Sequence, residues 1–141
     1  MQVNEVMSRT VDLVNPGMKI REAATLMRDD NVGALPVGEN DRLVGMITDR
    51  DIAVRAVAAG KSPTTTIRNV MSEKIYYCFE DNDVGEAARL MARHQVRRLP
   101  VLNRDKRLVG IVAMADIARK DGDASKTAIQ GVSEETDLSR R

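Results

Sequence analysis

The sequence predicts a mixed α/β protein, of the α+β kind, written as two β-α-β-β-α repeats packed with pseudo-twofold symmetry. Three observations carry that prediction. Short motifs return at a fixed interval: Val6-Met7-Ser8 as Val70-Met71-Ser72, Ala23-Ala24-x-x-Met27 as Ala87-Ala88-x-x-Met91, and Leu35-Pro36-Val37 as Leu99-Pro100-Val101, each 64 residues on. Leu43-Val44-Gly45 returns as Leu108-Val109-Gly110 at 65, so the second copy gains one residue in the turn between. Each copy contains both helix and strand signals, which makes it a duplicated supersecondary unit rather than a short solenoid repeat.

The elements follow in the same order in each half. A short opening turn or helix (Val3–Met7; Ile67–Met71) leads to a short strand (Val11–Val14; Ile75–Phe79). A helix comes next, its apolar stripe made by Ile20, Ala23, Ala24 and Met27 in one copy and Val84, Ala87, Ala88 and Met91 in the other. Two strands follow, Ala34–Val37 and Leu43–Thr48, joined at the turn-forming Gly38-Glu39-Asn40-Asp41. Their counterparts are Arg98–Leu102 and Leu108–Ala113, joined at Asn103-Arg104-Asp105-Lys106. A closing helix runs from about Asp49 to Ala59 and stops at Gly60, and its counterpart starts near Met114 and ends by Gly122. The expected boundaries are repeat one over 1–60, a linker over 61–66, repeat two over 67–120, and a polar tail over 121–141 with one helical turn around Ser125–Ile129.

Halves of about 60 residues are marginal alone, so one shared core is expected. Several function classes are excluded by composition. No apolar run approaches the roughly 18 residues of a membrane span and no signal-peptide pattern opens the chain, which points to the cytoplasm. One cysteine, Cys78, and one histidine, His94, build neither an internal disulfide nor a multi-ligand metal cage nor a catalytic triad. Cys78 reads as a small buried hydrophobe and His94 as a last-turn helix residue. Aromatics at 2% and a net charge of +1 argue against nucleic acid as a partner. The charge is nonetheless uneven. Residues 1–64 carry 8 Lys/Arg and 9 Asp/Glu, whereas residues 65–120 carry 11 and 7. A basic second half either helps the halves dock or raises the potential for an anionic ligand.

The most informative local motif is Gly45-Met46-Ile47-Thr48-Asp49-Arg50-Asp51, a strand end running into a helix. Thr48-x-x-Asp51 reads as a capping box contributing about 1–2 kcal/mol. The same geometry suits a ligand, since a helix start offers free N–H groups to an anion. Thr48 then reaches a phosphate or ribose oxygen and Asp51 accepts from ribose hydroxyls. In the second copy Gly110-Ile111-Val112-Ala113-Met114-Ala115-Asp116 keeps the acid and loses the hydroxyl.

The doubled order, with Leu-Pro-Val and Gly-hydrophobic-hydrophobic in adjacent strands, resembles the cystathionine-β-synthase (CBS) domain family. Two copies in tandem resemble a Bateman module, over residues 1–120, of the small stand-alone bacterial kind that includes hypoxic-response proteins. Tyr76-Tyr77 and His94-Gln95-Val96-Arg97-Arg98 fit that type. The resemblance implies an adenosine-nucleotide signature at Thr48-x-x-Asp51 and a crossed cleft. Thr48, Arg50 and Asp51 of one copy would then serve a ligand with Tyr77, Val96, Arg97, Arg98 and Pro100 of the other. A weaker site would pair Asp116 with Gly33, Ala34 and Pro36. Arg97 and Arg98 would supply forks for phosphate; alternatively they are a solvated or acid-paired edge. Family members often carry a Thr in the first strand, where Leu13 and Tyr77 stand here, so Tyr77 either stacks on a base or fills the cleft.

The function so implied is a non-catalytic sensor that binds an adenosyl ligand of the AMP, ADP or ATP class and signals to a partner protein by a change of shape. No cofactor is required. The alternative is a ligand-free dimeric interaction module with closed clefts. A homodimer is expected through the closing helices, whose exposed faces are read as Ile52, Ala53, Ala56 and Val57, and Ile117 and Ala118.

Overall fold

The computed structural model describes residues 1–120, so the tail and the expected turn at Ser125–Ile129 lie outside the described residues. One unit joins Met1–Val11 to the chain from Tyr76 onward, and the other comprises Asp12–Ile75. Each repeat's opening segment therefore belongs with the body of the other repeat.

Unit Asp12–Ile75 contains α1 (Ile20–Asp30), the antiparallel pair β1 (Ala34–Glu39) and β2 (Arg42–Thr48), and α2 (Asp49–Asp51). From α2 the chain continues into a π-helical stretch, Ile52–Val57. The other unit contains β3 (Cys78–Phe79), α3 (Val84–His94), β4 (Arg98–Leu102), β5 (Leu108–Ala113) and α4 (Met114–Lys120). Here β3 runs parallel to β4 and β4 antiparallel to β5. The α+β class and the order of elements are thus as expected, with local differences that have physical causes.

The first is the opening strand of repeat one, which shrinks to a single bridge between Val14 and Val37. In repeat two the Glu80 N–H donates to the Leu102 carbonyl at 2.8 Å and extends the ladder. Pro16 stands at the equivalent position and has no N–H to give. The second lies in the hairpins. Asn40 and Asp41 both have positive φ, 55° and 64°, as a tight two-residue turn requires. The longer turn of repeat two is held instead by Asn103, whose Oδ1 accepts from the Asp105 and Arg107 N–H groups. The third is the closing element of repeat one. It was expected as an ordinary helix, but its bonds run five residues back, from Ala58 N–H to the Ala53 carbonyl and from Lys61 N–H to the Ala56 carbonyl. It ends at Gly60, whose φ of 75° makes the left-handed stop.

Both long helices end alike, on left-handed Asn31 and Gln95 whose N–H groups bond the Met27 and Met91 carbonyls. Their starts differ. Asp83 caps α3 by accepting from Gly85 N–H at 2.9 Å, whereas at α1 Glu22 accepts from Lys19 N–H at 3.2 Å.

The expected single core is corrected to two. Val3 and Val6 are buried with Cys78, Val84, Ala87, Ala88, Met91, Leu99, Val101, Val112 and Ile117. Ile67, Val70 and Met71 are buried with Val14, Ile20, Ala23, Met27, Leu35, Val37, Ile47 and Ala56. Exchange of the opening segments lets each repeat fill a core of its own. Ser8 pairs with Ile111 through bonds of 2.8 and 2.9 Å, and Ser72 pairs with Met46 through two bonds of 2.9 Å. Glycine is demanded beside each crossing. A Cβ on Gly45 would lie 2.7 Å from the Ser72 carbonyl oxygen, and one on Gly110 2.6 Å from that of Ser8. The repeated Val-Met-Ser and Leu-Val-Gly motifs are therefore two sides of one contact, made twice.

Two expectations about faces are also corrected. Ala24 is exposed, while its counterpart Ala88 is fully buried, so the apolar stripe of α1 is narrower than that of α3. Ala56 and Ile117 are fully buried in the two cores and Ile52 packs against one of them, so these three are not exposed interface residues. Ala53, Val57 and Ala118 are exposed, and so is Val54.

Candidate functional site

β2 delivers Thr48 to the start of α2, where the predicted capping box forms in full. Asp51 N–H donates to Thr48 Oγ1 and Thr48 N–H donates to Asp51 Oδ2, each at 3.0 Å. The local sequence dictates this closure, since a hydroxyl at the cap and an acid three residues on satisfy each other's backbone donors. Beside them Asp49 N–H bonds the Gly33 carbonyl at 2.9 Å, and Ala34 is the register partner of Thr48. Arg50 is exposed. The Asp51 side chain is only 16% exposed, and its Oδ1 lies 3.9 Å from the Arg55 guanidinium. Arg55 itself donates to the Met71 carbonyl at 3.2 Å.

The second repeat builds half of the same box. Ala113 N–H donates to Asp116 Oδ2 at 3.1 Å, but Ala113 has no oxygen to accept in return. Met114 N–H bonds the Arg97 carbonyl at 2.8 Å and Arg98 is the register partner of Ala113. Arg119 donates to Asp116 Oδ1 at 2.8 Å.

Within each unit, then, Thr48 and Asp51 stand beside Gly33 and Ala34, and Asp116 stands beside Arg97 and Arg98. Pro36 and Pro100 are buried in β1 and β4, paired with Met46 and Ile111. Arg97 and Arg98 are exposed and make no ion pair with a described residue. Val96 is half-buried against the core. Tyr77 is half-buried and sets its ring edge-on to Phe79, centroids 5.6 Å apart. Its neighbour Tyr76 stacks on His94 at 3.6 Å and packs on the core. The residues missed from sequence were Arg55 and Arg119. Their spacings of four and three from Asp51 and Asp116 were the available signal.

Cys78 is buried as expected, 1% exposed, and burial followed by the nearby Glu86 charge pushes its thiol up to about 12. At exposed positions, hydrogen bonding from Arg104 holds the Asp81 carboxyl below its ordinary value, and the Gly85 N–H does the same for Asp83.

Two α+β repeats, each carrying an acid at the start of its closing helix, define a tandem-repeat module. The chain belongs to the CBS domain family, which it matches over residues 3–57 and 67–123. It is 45% identical over 116 residues to the CBS domain-containing protein YhcV of Bacillus subtilis, covering 82% of each chain. It is 44% identical over 117 residues to hypoxic response protein 1 of Mycobacterium tuberculosis, covering 82% of this chain and 81% of that one. The crystal structure of Hypoxic Response Protein I with two coordinated zinc ions is similar at a TM-score of 0.75 and 42% identity, over 85% of this chain and 98% of that one. The CBS domain pair of protein MJ0100, in complex with 5′-methylthioadenosine and S-adenosyl-L-methionine, is similar at 0.72 and 31%, over 85% and 98%. CBS pairs of this kind are regulatory modules.

Among the described residues the thiol and the imidazole are far from free metal donors. The chain's one thiol is buried and hard to ionise, its one imidazole is stacked on Tyr76, and the described residues hold no group of three or more His, Cys, Asp or Glu placed for a metal. No described helix is long and apolar enough to cross a membrane.

Proposed function

We propose that this protein is a non-catalytic cytoplasmic sensor that binds an adenosyl ligand and transmits its occupancy by shape to a partner protein. The intact Thr48–Asp51 box carries the reading, because it fixes a nearly buried carboxylate with one oxygen turned away from the backbone. Asp51 accepts from the ribose hydroxyls and Thr48 contacts the ligand beside it. Arg97 and Arg98 favour a phosphate-bearing ligand of the AMP, ADP or ATP class, since neither guanidinium is ion-paired to an acid among the described residues. Tyr77, Val96 and Pro100 complete the set, with Arg50 at the helix start. The site around Asp116, Gly33, Ala34 and Pro36 is the weaker one. The protein works as a homodimer through the exposed Ala53 and Val57 of the closing element and Ala118 of α4.

A nucleotide panel read by thermal melting tests this. Ligand at 100 times its Kd adds about 2.7 kcal/mol to stability. Asp51→Ala should abolish the shift and Asp116→Ala should leave it. Absence of a shift with every adenosyl compound, together with no nucleotide released on heat denaturation, would instead select a ligand-free interaction module. The packing of Tyr76 on the core and against His94 favours that second reading, and a stoichiometric co-purifying protein would support it.

A further inference from the structure

The two acids differ in more than their caps. In both repeats one carboxylate oxygen is spent on the backbone N–H of the cap residue. The other oxygen is the one open to a ligand. On Asp116 it is taken by Arg119, which donates to Oδ1 at 2.8 Å. On Asp51 no described residue donates a hydrogen bond to it: the Arg55 guanidinium lies at 3.9 Å and spends a donor on the Met71 carbonyl at 3.2 Å. Aligning the repeats shows why. Arg119 corresponds to Val54, and Arg55 corresponds to Lys120. The arginine therefore sits three residues after the acid in one repeat and four after it in the other.

We infer that Arg119 is a built-in occupant of the second site, and that Val54 together with the tethering of Arg55 to Met71 is what keeps Asp51 open to a pair of ribose hydroxyls. Arg119 stands in for the ligand, so regaining a cap hydroxyl is not enough to regain a site. Arg55 is a positioning residue: held by a carbonyl of the repeat-two opening segment, it neutralises Asp51 at a distance without donating to it. This inference rests on the reading of Asp51 as a ribose-binding group.

Calorimetry with AMP on the full chain, in three variants, tests it. Val54→Arg places the occupant beside Asp51, and should weaken AMP binding by about threefold or more, the weight of an exposed ion pair that must be broken. The same variant should bind 2′,3′-dideoxy-AMP no worse than the parent, because that ligand has no hydroxyl to compete with; general damage to the site would lower both. Ala113→Thr alone should leave one site per chain, and Ala113→Thr with Arg119→Val should raise the stoichiometry to two. Equal AMP affinity in the parent and Val54→Arg, or a second site from Ala113→Thr alone, would overturn the inference while leaving the functional reading standing. Failure of the parent chain to bind AMP or any adenosyl compound defeats that reading, and this one with it.

Discussion

The two repeats share a backbone plan and differ at the place where function would reside. At the end of β2, Thr48 closes a reciprocal box with Asp51, while at the end of β5 Ala113 leaves the box half made. On the strand alongside, the register partner of Thr48 is Ala34 and that of Ala113 is Arg98. The contacts that hold the fold are duplicated far more closely: Ser8 with Ile111 matches Ser72 with Met46, and the bulge after Val37 matches the one after Val101. The likeness is close where the repeats pack and breaks down at the starts of the closing helices. A fold can stand on two equal frames and still present one acid differently from the other.

The largest expected effect probes the kept part. Gly45→Ala and Gly110→Ala each place a Cβ within 2.7 Å of a backbone oxygen that sits in a bonded bridge. Neither carbonyl can swing aside without losing its hydrogen bonds, so each should cost at least about 2 kcal/mol in urea unfolding. The two costs should agree within about 1 kcal/mol. A tolerant Gly45 beside an intolerant Gly110 would break the equivalence of the frames.

A second pair of substitutions probes the closing helices, where the cores differ. Ile117 is fully buried, whereas Ile52, its counterpart, is half-buried. Ile117→Ala should cost roughly 2–5 kcal/mol and Ile52→Ala about half of that or less. Equal losses would mean that the π-helical stretch of repeat one buries its isoleucine as deeply as α4 does.

How much of this was legible beforehand follows the range of the interactions. Strand and helix positions came from periodicity, which is local, and β4 and β5 fell on the expected residues. The capping box was readable because both partners lie within four residues. The shared core was the wrong expectation, since the motifs reveal that two halves are alike but not which half each opening segment joins. That information lies in a long-range contact, Ser8 to Ile111, whose sequence trace is a glycine with no stated partner. The interface face failed for a related reason. Ala56 and Val57 are neighbours of similar character, yet one is buried and the other exposed, and their types alone do not say which. Arg119 was hidden by simple proximity: an acid and a base three apart on a helix are so ordinary that the pair draws no notice until its counterpart is found missing.

Cys78, whose counterpart in repeat one is Val14, gives repeat two a pH-dependent contribution to stability. Burial raises its thiol to about 12, so the folded state resists ionisation that the unfolded chain undergoes near 9. The stability contributed by the neutral thiol is whole below the unfolded value and is lost as pH climbs from there toward the folded one. The loss should approach about 1.4 kcal/mol per pH unit within that window. Cys78→Ala should flatten that part of the profile relative to the parent, and the native thiol should resist disulfide reagents at neutral pH. A profile unchanged by the substitution would mean that the thiol reaches solvent.

The smallest effect separates the cap from the ligand. Thr48→Ala removes the oxygen that accepts from Asp51 N–H, at a cost of about 1 kcal/mol. Ala113→Thr supplies the missing acceptor to Asp116 N–H and should return a similar amount. On stability alone, therefore, the two substitutions should be mirror images. With an adenosyl ligand present they should part company. Thr48→Ala should lose ligand stabilisation in addition to the cap, whereas Ala113→Thr should gain the cap and no second ligand shift while Arg119 remains. If the ligand-dependent difference vanished and only the mirror-image cap terms survived, Thr48 would be a helix cap and nothing more, and the asymmetry between the repeats would be one of stability rather than of sensing.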